Sequence, residues 1–485
     1  MIVGREREKR QLEKVYSSAE SEFVVIYGRR RVGKTYLIRE FFSKKKCIYL
    51  HVTGTQKKKM SVQLERFVTE LSRTFFGNAD LAAPSWEAAF KLLNQQIALQ
   101  DEKSKKKVVI FLDELPWLVT RRSGLLELID YYWNRHWSGM KNVILVACGS
   151  SASWLIKNII HDKGGLHNRL TCEIHLMPFN LYETKEYLKH RKIKLNNRHI
   201  LLVYMAIGGI PYYLKYVEQG LTADQIIQEI FFNAASPLKD EFKKLFHSLF
   251  ENAEAYIEII NLVSANRSGL SRAEIQAKAG LSVNGGSLTE RLKDLCSAGF
   301  LEERVSWHKK KGEYYRLIDE FCLFYLCWVK SAKTHIFPPD YWLTVSRSQA
   351  FKSWSGYTFE SICLKHIGQI LSASGIKSAK AIDSWRYVPR KHPEMGAQID
   401  LLVERSDDAI TLFEIKFTQE PFVLDREYAK KLQDRIKIFR SKMKITQQIF
   451  IAIISATGVK PTVYSEEMID KIITMDDLFI KDLYV

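Results

Sequence analysis

The amino-acid sequence predicts a multidomain α/β protein with a parallel sheet in its N-terminal part and a smaller α/β unit at its C-terminal end. An apolar, β-branched run at Phe23–Tyr27 leads through a glycine-containing loop into a helical pattern at Tyr36–Phe42. Further continuous apolar runs at 107–112 and 142–147 end in polar residues, as strands buried on both faces do. Two strand-like runs within 398–417 carry acidic residues. A chain of 485 residues is too long for one core, so about three domains are expected.

The loop after the first strand has the spacing of a phosphate-binding loop. Gly28–Thr35 matches G-x-x-x-x-G-K-[ST], in which two glycines let backbone N–H groups converge on an anion at a helix N-terminus. Lys34 is expected to reach the terminal phosphates, and the Thr35 hydroxyl to ligate Mg²⁺. The predicted nucleotide-binding residues are Gly28, Arg29, Arg30, Arg31, Val32, Gly33, Lys34 and Thr35. The sequence therefore predicts binding of a nucleoside triphosphate.

The second apolar run supplies the carboxylates that such a loop requires. Lys107–Glu114 reads KVVIFLDE, a buried strand ending in two acids. Asp113 is expected to hold Mg²⁺ through water. Glu114 is placed to polarise the attacking water as general base. Together with Lys34, these residues predict hydrolysis of the bound nucleotide.

Two more polar residues lie close in sequence to later strands of the predicted sheet. Ser150 comes after the apolar run 142–147 and is a candidate sensor of the γ-phosphate, although an ordinary turn serine fits equally well. Arg169 precedes the short strand Cys172–Leu176 and could stabilise charge in the transition state. A surface salt bridge explains Arg169 equally well. If Arg169 acts on a neighbouring copy, the protein is a homo-oligomer.

The N-terminal half resembles the archaeal-type ATPases of the AAA+/STAND group, which also occur in bacteria. The segments that carry the resemblance are Val3–Glu6 (VGRE), Gly28–Thr35, Leu112–Pro116 (LDELP), Cys148–Ser151, Arg169 and Gly208–Leu214 (GGIPYYL). The resemblance implies ATP as the nucleotide, with the GRE segment near the adenine. It also implies a helical lid containing Phe179–Lys192 and Ile200–Ile207, with Pro211 near the base or ribose. From the residues alone, Gly208–Pro211 ends one helix and begins another.

The next segment has the order of a winged helix. Ser271–Glu274 and Ser287–Glu290 are capping boxes that predict two helices. The strands Phe300–Val305 and Tyr314–Ile318 flank a basic tip at Trp307–Gly312, and the dense apolar run Tyr315–Val329 predicts a core helix.

Helix–turn–helix followed by a hairpin can place its second helix in a DNA major groove. Arg291 and Lys293 would then lie on that helix, with Lys309–Lys311 on the wing. In ATPases of the STAND type such a module often packs internally as a relay, so both uses remain open.

A second chemical site is predicted after the linker Phe337–Pro339. Ile399–Val403 and Thr411–Phe417 are strands that could pair as a hairpin, which would place Asp400 near Glu414 and Lys416. Asp400 and Glu414 can hold Mg²⁺, while Lys416 orients a water against a phosphodiester or neutralises developing charge.

The D-x₁₃-E-x-K pattern resembles the PD-(D/E)xK restriction-endonuclease-like superfamily, with Ile399 in place of the proline. That resemblance implies one more acid from an upstream helix, and Ser355–Leu371 offers Glu360. Helix Arg426–Phe439 and strand Gln448–Ile454 complete an α-β-β-β-α-β order. The alternative is a degenerate domain that uses this scaffold to bind DNA or a partner.

The net charge and the residue composition indicate which partners and which compartment to expect. A net charge of +18 favours a polyanion, and DNA is the expected partner. No apolar run is long enough to span a bilayer, and seven scattered cysteines suit a reducing cytoplasm. The expected parts are the ATPase core 1–178, the lid 179–243, the winged helix with its connecting helix 244–335, and the nuclease-like domain 350–485.

Three functions fit these features. The first is a Mg²⁺-dependent ATPase near DNA whose nucleotide state controls the C-terminal nuclease-like domain. The second is a regulatory switch whose C-terminal domain is a non-catalytic scaffold. The third is a transcription regulator that acts through the winged helix.

Overall fold

The computed structural model describes residues 1–103, 106–161, 168–279, 286–305, 313–332, 337–387, 389 and 395–482. The chain divides into two compact units. The first contains Met1–Pro178 and Glu290–Gly299, and the second contains Phe179–Thr289 and Phe300–Val485. Among the described residues, no helix combines the length and apolarity needed to cross a bilayer.

The first unit contains the predicted parallel sheet. Its strands are β1 (Glu22–Tyr27), β2 (Cys47–Thr53), β3 (Lys107–Asp113), β4 (Val143–Gly149) and β5 (Cys172–His175). They lie in the order β2-β3-β4-β1-β5 and all pair in parallel. Because β4 lies between β1 and β3, the carboxyl ends of three strands meet at one edge of the sheet. This edge is where the predicted nucleotide residues follow their strands.

Helices flank this sheet. They are α1 (Glu6–Ser17), α2 (Lys34–Phe42), α3 (Met60–Phe75), α4 (Trp86–Lys103), α5 (Leu115–Leu118), α6 (Leu125–Tyr132) and α7 (Ala152–Leu155). The apolar stripe of α3 puts Phe67 against Phe90 of α4, with stacked rings 5.5 Å between centroids. Both rings belong to the core cluster that includes the apolar residues of β1 and β3. The buried side of the sheet is therefore covered, and its carboxyl-end loops carry the polar residues.

The second unit begins with helices. They are α8 (Leu181–His190), α9 (Asn197–Ile207), α10 (Pro211–Leu214), α11 (Ala223–Phe231), α12 (Glu241–Leu249) and α13 (Ala253–Ser264). A capping box of Asn180 and Glu183 begins α8. The break before α10 requires glycine, because a Cβ on Gly209 would lie 1.8 Å from the carbonyl oxygen of Phe179. The Gly-Gly-x-Pro segment is thus explained locally by close backbone packing.

The predicted order of two helices followed by a β-hairpin is present. It consists of β6 (Leu270–Ser271), α14 (Arg272–Lys278), α15 (Gly286–Ser297), β7 (Leu301–Val305) and β8 (Glu313–Leu317). The three strands form an antiparallel sheet in the order β6-β8-β7. The capping box at Ser271 is confirmed, since its side chain accepts from the N–H of Glu274.

Two details of this segment were predicted wrongly. Helix α15 already includes Gly286, so Ser287 lies within the first turn and is not the residue that begins the helix. The core helix expected over Tyr315–Val329 starts later, because Tyr315 pairs in β8 and Asp319 caps α16 (Glu320–Phe324). A wider helical turn then continues to Val329. The basic tip with Lys309–Lys311 lies outside the described residues.

The C-terminal part contains a mixed sheet. Its elements are α17 (Tyr341–Val345), α18 (Gln349–Lys365), α19 (Ile367–Ser374), β9 (Ala379–Tyr387), β10 (Ala397–Arg405), β11 (Ala409–Lys416), β12 (Phe422–Val423), α20 (Arg426–Met443), β13 (Gln448–Ser455), β14 (Val459–Lys460), α21 (Val463–Met468) and β15 (Lys471–Thr474). The main sheet has the order β15-β13-β11-β10-β9. Strands β9, β10 and β11 are antiparallel neighbours, and β13 and β15 add in parallel. The predicted α-β-β-β-α-β order is present from α18 to β13.

Polar contacts join the three parts of the second unit. The helix predicted over Ser355–Leu371 is split at the buried His366, whose Nε2 accepts the N–H of Leu181 at 2.9 Å. Lys365 donates to Glu320 at 2.7 Å. The predicted linker is packed as well, since the ring of Phe337 lies 5.2 Å from that of Phe232. These contacts connect segments that are far apart in sequence within the second unit.

Candidate active sites

The phosphate-loop backbone in the first unit can be formed only with glycine at its first position. Gly28 has φ 141°, and a Cβ there would lie 2.3 Å from the carbonyl oxygen of Leu176. Gly33 has φ 94° and is the N-cap of α2. Arg5, from the VGRE segment, donates from Nη2 to the Val32 carbonyl at 3.2 Å. The N-terminal segment thus contacts the phosphate loop itself.

Lys34 is held inside this loop. Its buried Nζ donates to the carbonyl oxygens of Gly28, at 2.9 Å, and Arg29, at 3.1 Å. Both acceptors are uncharged. Charge-assisted hydrogen bonds to phosphate are stronger than bonds to neutral carbonyls. Lys34 is therefore poised to exchange neutral acceptors for an anionic one.

The structure brings Thr35 and Asp113 together across the sheet. The Thr35 hydroxyl donates to the Asp113 carboxylate, at 3.1 Å to Oδ1 and 3.0 Å to Oδ2. Asp113 is 3% exposed at the carboxyl end of β3. A hydroxyl beside a carboxylate is the oxygen donor set that suits Mg²⁺. These two residues therefore fit the metal that the sequence assigned to them.

Glu114 and Ser150 also meet. Glu114 has the left-handed φ of 48° and is the N-cap of α5. Its Oε2 accepts from both the N–H and the hydroxyl of Ser150, each at 2.9 Å. The predicted sensor therefore contacts the predicted general base directly, and its role as a sensor stays a prediction.

Two further predicted nucleotide residues lie elsewhere in the chain. Arg169 is exposed and lies two positions after residue 167, the last of the residues 162–167 outside the described part. Pro211 begins the four-residue helix α10 in the second unit. The roles of both residues stay predictions. His51 at the end of β2 was missed by the sequence reasoning, yet its Nε2 lies 3.6 Å from Asp113 Oδ2.

The C-terminal acids line one pocket of about 530 Å³ with Lys416. The four predicted residues there are Glu360, Asp400, Glu414 and Lys416. The hairpin pairing of β10 and β11 places Asp400 beside the end of β11, where its Oδ2 accepts the N–H of Ile415 at 3.1 Å. Glu360 reaches the same pocket from α18. The structure thus assembles all four positions from one helix and two strands.

Glu414 is surrounded by donors. Lys416 Nζ lies 2.6 Å from its Oε1, and Arg435 Nη1 lies 3.0 and 3.1 Å from its two oxygens. The Tyr428 hydroxyl also donates to Oε1. Burial alone would raise the pKa of Glu414, but Lys416 and Arg435 outweigh it and hold that pKa below its usual value. Glu414 is therefore ionised and neutralised by two cations.

The other two acids have the opposite electrostatics. The pKa of Glu360 is raised to about 7, mainly by burial and secondly by the charge of Asp400. Burial, and next the charge of Glu414, raise the pKa of Asp400. Lys416 opposes both shifts. One pocket thus contains a proton-holding acid, Glu360, beside the ionised Glu414.

The donor set of this pocket fits Mg²⁺ by type, because carboxylates are its preferred ligands. No group of three His, Cys, Asp or Glu residues converges on a metal position anywhere in the described part of the chain. Asp400 and Glu414 could hold the ion only if Glu414 gave up part of its contact with Lys416 or Arg435.

Sequence reasoning missed Tyr428 and Arg435. They lie seven residues apart on α20, which is two helical turns, and so they share a face of the helix. That spacing, directly after the E-x-K strand, is the signal that could have identified them.

Comparison with known proteins finds a family match in the N-terminal part. Residues 2–217 match the model of a family described as an ATPase domain predominantly from Archaea. Over 440 residues the chain is 26% identical to an uncharacterized protein of Methanocaldococcus jannaschii, covering 90% of this chain and 91% of that protein. It is also 44% identical over 46 residues to an uncharacterized ATP-binding protein of the same organism, covering 10% of this chain and 78% of that protein.

Two solved structures are similar in part. The Walker-type ATPase of Pyrococcus abyssi has a TM-score of 0.44 at 18% identity, covering 67% of this chain and 96% of that chain. The ORC2 protein of Aeropyrum pernix has a TM-score of 0.41 at 14% identity, covering 75% of this chain and 96% of that chain.

Proposed function

We propose that this chain binds and hydrolyses ATP with Mg²⁺ near DNA, because residues 2–217 match the model of an ATPase domain found predominantly in Archaea. We further propose that its nucleotide state controls a metal-dependent phosphodiesterase site in the C-terminal part. The contact of Thr35 with Asp113, next to the Glu114–Ser150 pair, carries the first proposal. These contacts support the proposal because a hydroxyl beside a carboxylate suits Mg²⁺ and the neighbouring carboxylate of Glu114 can act as a base.

Each residue of the proposed nucleotide site has a separate role in hydrolysis. Backbone N–H groups of Gly28–Lys34 bind the phosphates, and Lys34 exchanges its carbonyl acceptors for β- and γ-phosphate oxygens. Mg²⁺, held by Thr35 and Asp113, would neutralise charge on those oxygens. Glu114 orients the attacking water and accepts its proton, while Ser150 fixes the carboxylate of Glu114.

A binding and turnover experiment tests this assignment. Lys34→Ala should lose detectable binding of a fluorescent ATP analogue, because the buried cation that faces the phosphates is gone. The exposed Lys44 provides the control, and Lys44→Ala should bind as wild type does. Equal binding by Lys34→Ala and wild type would contradict the phosphate-binding role. If Arg169 completes the site of a second copy, turnover per chain should rise with protein concentration, whereas a constant value would argue against that arrangement.

For the C-terminal site, the proposal is supported by three carboxyl groups and one lysine that line one pocket. Asp400 and Glu414 would hold a divalent ion that activates water toward a phosphodiester. Lys416 would neutralise charge on the scissile phosphate, and Glu360 carries a proton near neutral pH that it could donate to the leaving oxygen. The net charge of +18 supports DNA as the substrate.

A second candidate function follows from one specific observation. Because Glu414 is neutralised by Lys416 and Arg435, the pocket is stable without a metal. Such a pocket suits a switch protein whose C-terminal part is a non-catalytic scaffold that binds DNA or a partner, because this role requires no metal. The four-part division at 1–178, 179–243, 244–335 and 350–485 belongs to both proposals.

A further inference from the structure

The winged-helix hairpin contributes a side chain to the surroundings of the C-terminal pocket. Arg316 of β8 donates from Nε to the hydroxyl of Tyr357 on α18, at 3.1 Å, and its guanidinium lies 4.7 Å from the centre of that ring. Tyr357 precedes Glu360 by three residues, so the two share a face of α18. The charge of Arg316 acts on Glu360 and opposes the upward shift of its pKa. The hairpin and the candidate phosphodiesterase site are therefore adjacent.

Arg316 retains unused hydrogen-bonding capacity. Its Nη2 is buried and has no hydrogen-bond partner in the described structure. A buried polar nitrogen without a partner destabilises the folded state, and more so when it is charged. Because this nitrogen lies beside an open groove, its missing acceptor is expected to belong to a bound ligand. Since the donor is a cation, the favoured ligand is an anion.

The groove that contains Arg316 runs from the hairpin to the acids. It has a volume of about 1,210 Å³ and includes residues of the winged-helix sheet, α18, β9 and the end of β11. Seven Arg or Lys side chains and four Asp or Glu side chains line it. Two of those four acids are Glu360 and Asp400, so outside the candidate site the groove is strongly positive.

Aromatic rings accompany these cations. Tyr314 lies two residues before Arg316 on β8, lines the groove and is 37% exposed. Tyr357 and Tyr387 line it as well. Bases of single-stranded nucleic acid stack on such rings, while nearby cations follow the phosphates. Pockets for drug-sized ligands measure about 300–1,000 Å³, so this groove suits a few nucleotides and is too small to enclose a duplex.

We infer that this groove binds a single-stranded DNA segment, with Arg316 on its backbone, and directs a phosphodiester to Asp400, Glu414 and Lys416. Delivery of a phosphodiester to these three residues rests on the proposed phosphodiesterase. Binding of single-stranded DNA in the groove does not depend on catalysis. The hairpin sheet would then serve as one wall of the substrate groove, a use distinct from insertion of α15 into a major groove.

Binding without cleavage tests the groove separately from the enzyme. The full-length chain, without nucleotide and with EDTA, is titrated against a fluorescent single-stranded DNA of about 20 nucleotides, longer than typical single-module sites of about 4–16. Arg316→Ala should weaken binding about tenfold, as the loss of one charge-assisted hydrogen bond does. It should also reduce the slope of log Kd against log salt by about 0.7, because one phosphate contact disappears.

Matched variants separate this contact from net charge and from misfolding. Arg347 is an exposed arginine outside the groove, so Arg347→Ala should bind as wild type does. Arg316→Lys should restore part of the affinity. Lys352 is exposed on the groove wall and contributes no buried contact, so Lys352→Ala should weaken binding several-fold with unchanged thermal unfolding.

The outcomes distinguish the groove from the phosphodiesterase. Weakened binding by both groove variants supports the groove even if no metal produces cleavage in wild type. Wild-type affinity in Arg316→Ala and Lys352→Ala overturns the groove, even if DNA is cleaved. Equal weakening by Arg347→Ala, or tighter binding of duplex or of RNA that is independent of Arg316, also overturns it.

Discussion

The proposed nucleotide site and the C-terminal acidic pocket hold their carboxylates in opposite ways. Asp113 and Glu114 accept hydrogen bonds from neutral groups of Thr35 and Ser150. Glu414 instead accepts from two cations, Lys416 and Arg435. Neutral donors leave the negative charge available to an incoming ion, whereas cations cancel it.

The difference indicates two modes of action. The first site is arranged for its ligand before the ligand arrives, so binding requires little electrostatic rearrangement. The second site is neutralised by its own residues, so a metal must compete with an ion pair that is 5% exposed on the Glu414 side. Control of the second site could therefore work by separating Glu414 from its cations.

The largest expected effect concerns the general base of the first site. Glu114→Gln keeps the shape of the side chain but cannot accept the proton of the attacking water. We expect ATP binding within a few-fold of wild type and turnover lower by about 10²–10⁴. Steady-state hydrolysis and equilibrium binding measure the two quantities. The exposed Glu127 supplies a matched control, and turnover by Glu114→Gln equal to that of Glu127→Gln would contradict the assignment.

The next effect concerns the proton held by Glu360. The folded state keeps this proton up to about pH 7, while the unfolded chain releases it near 4.5. The free energy of unfolding of the wild type should therefore fall as pH rises through that window. Glu360→Gln removes this loss of stability. The free energy of unfolding of Glu360→Gln minus that of wild type should therefore be larger above the window than below it, by about 1–3 kcal/mol.

Urea unfolding with EDTA, at pH values on both sides of the window, measures this difference. Glu467→Gln changes an exposed carboxyl and should show none of it. A difference between Glu360→Gln and wild type that is independent of pH would show that Glu360 is not protonated in the folded chain.

A smaller effect, on the affinity for a metal ion, should follow from removing a cation that is paired with Glu414. Arg435→Gln removes one of its two cations while Lys416 remains. We expect Mn²⁺ to bind the nucleotide-free chain about tenfold more tightly, because the ion competes with less positive charge. Paramagnetic resonance of free Mn²⁺ gives the affinity. Arg426, exposed on the same helix, is the control position. Unchanged or weaker Mn²⁺ binding in Arg435→Gln, relative to Arg426→Gln, would mean that the cations do not occlude the site.

The smallest effect concerns the partner of Glu114. Ser150→Ala removes the hydroxyl donor but leaves the backbone N–H of residue 150 in place. We expect turnover to fall about three- to tenfold with ATP affinity nearly unchanged, since one neutral hydrogen bond contributes about 1 kcal/mol. A loss of ATP affinity instead would favour direct contact between Ser150 and the γ-phosphate.

Local patterns were sufficient to predict the residues that follow strands in the first unit. Gly28–Thr35 and Asp113 could be placed because a motif and a buried strand fix their positions in the sheet. Long-range contacts could not be placed in the same way. His366 splits a predicted helix because it accepts the N–H of Leu181, which is 185 residues away. No periodicity within α18 contains that information.

The C-terminal site shows the same division. Asp400, Glu414 and Lys416 were predicted from the spacing of two strands, and Glu360 from the superfamily resemblance that this spacing carries. Their electrostatic state depends on Tyr428 and Arg435 of α20 and on Arg316 of the hairpin, which reach the pocket only through tertiary packing. The sequence therefore predicted which groups meet, while the charge balance that decides their behaviour required the structure.

The measurement that tests the central claim most directly is DNA cleavage with Mg²⁺ or Mn²⁺, with ATP, with ADP and without nucleotide. Wild type is compared with Lys416→Ala, Lys34→Ala and the control Lys44→Ala. We expect cleavage by wild type and Lys44→Ala that depends on nucleotide, no cleavage by Lys416→Ala, and no response to nucleotide in Lys34→Ala. Absence of cleavage under every condition, with ATP hydrolysis intact, would contradict the phosphodiesterase and favour the switch with a binding scaffold. Cleavage that persists in Lys416→Ala would place the activity outside this pocket.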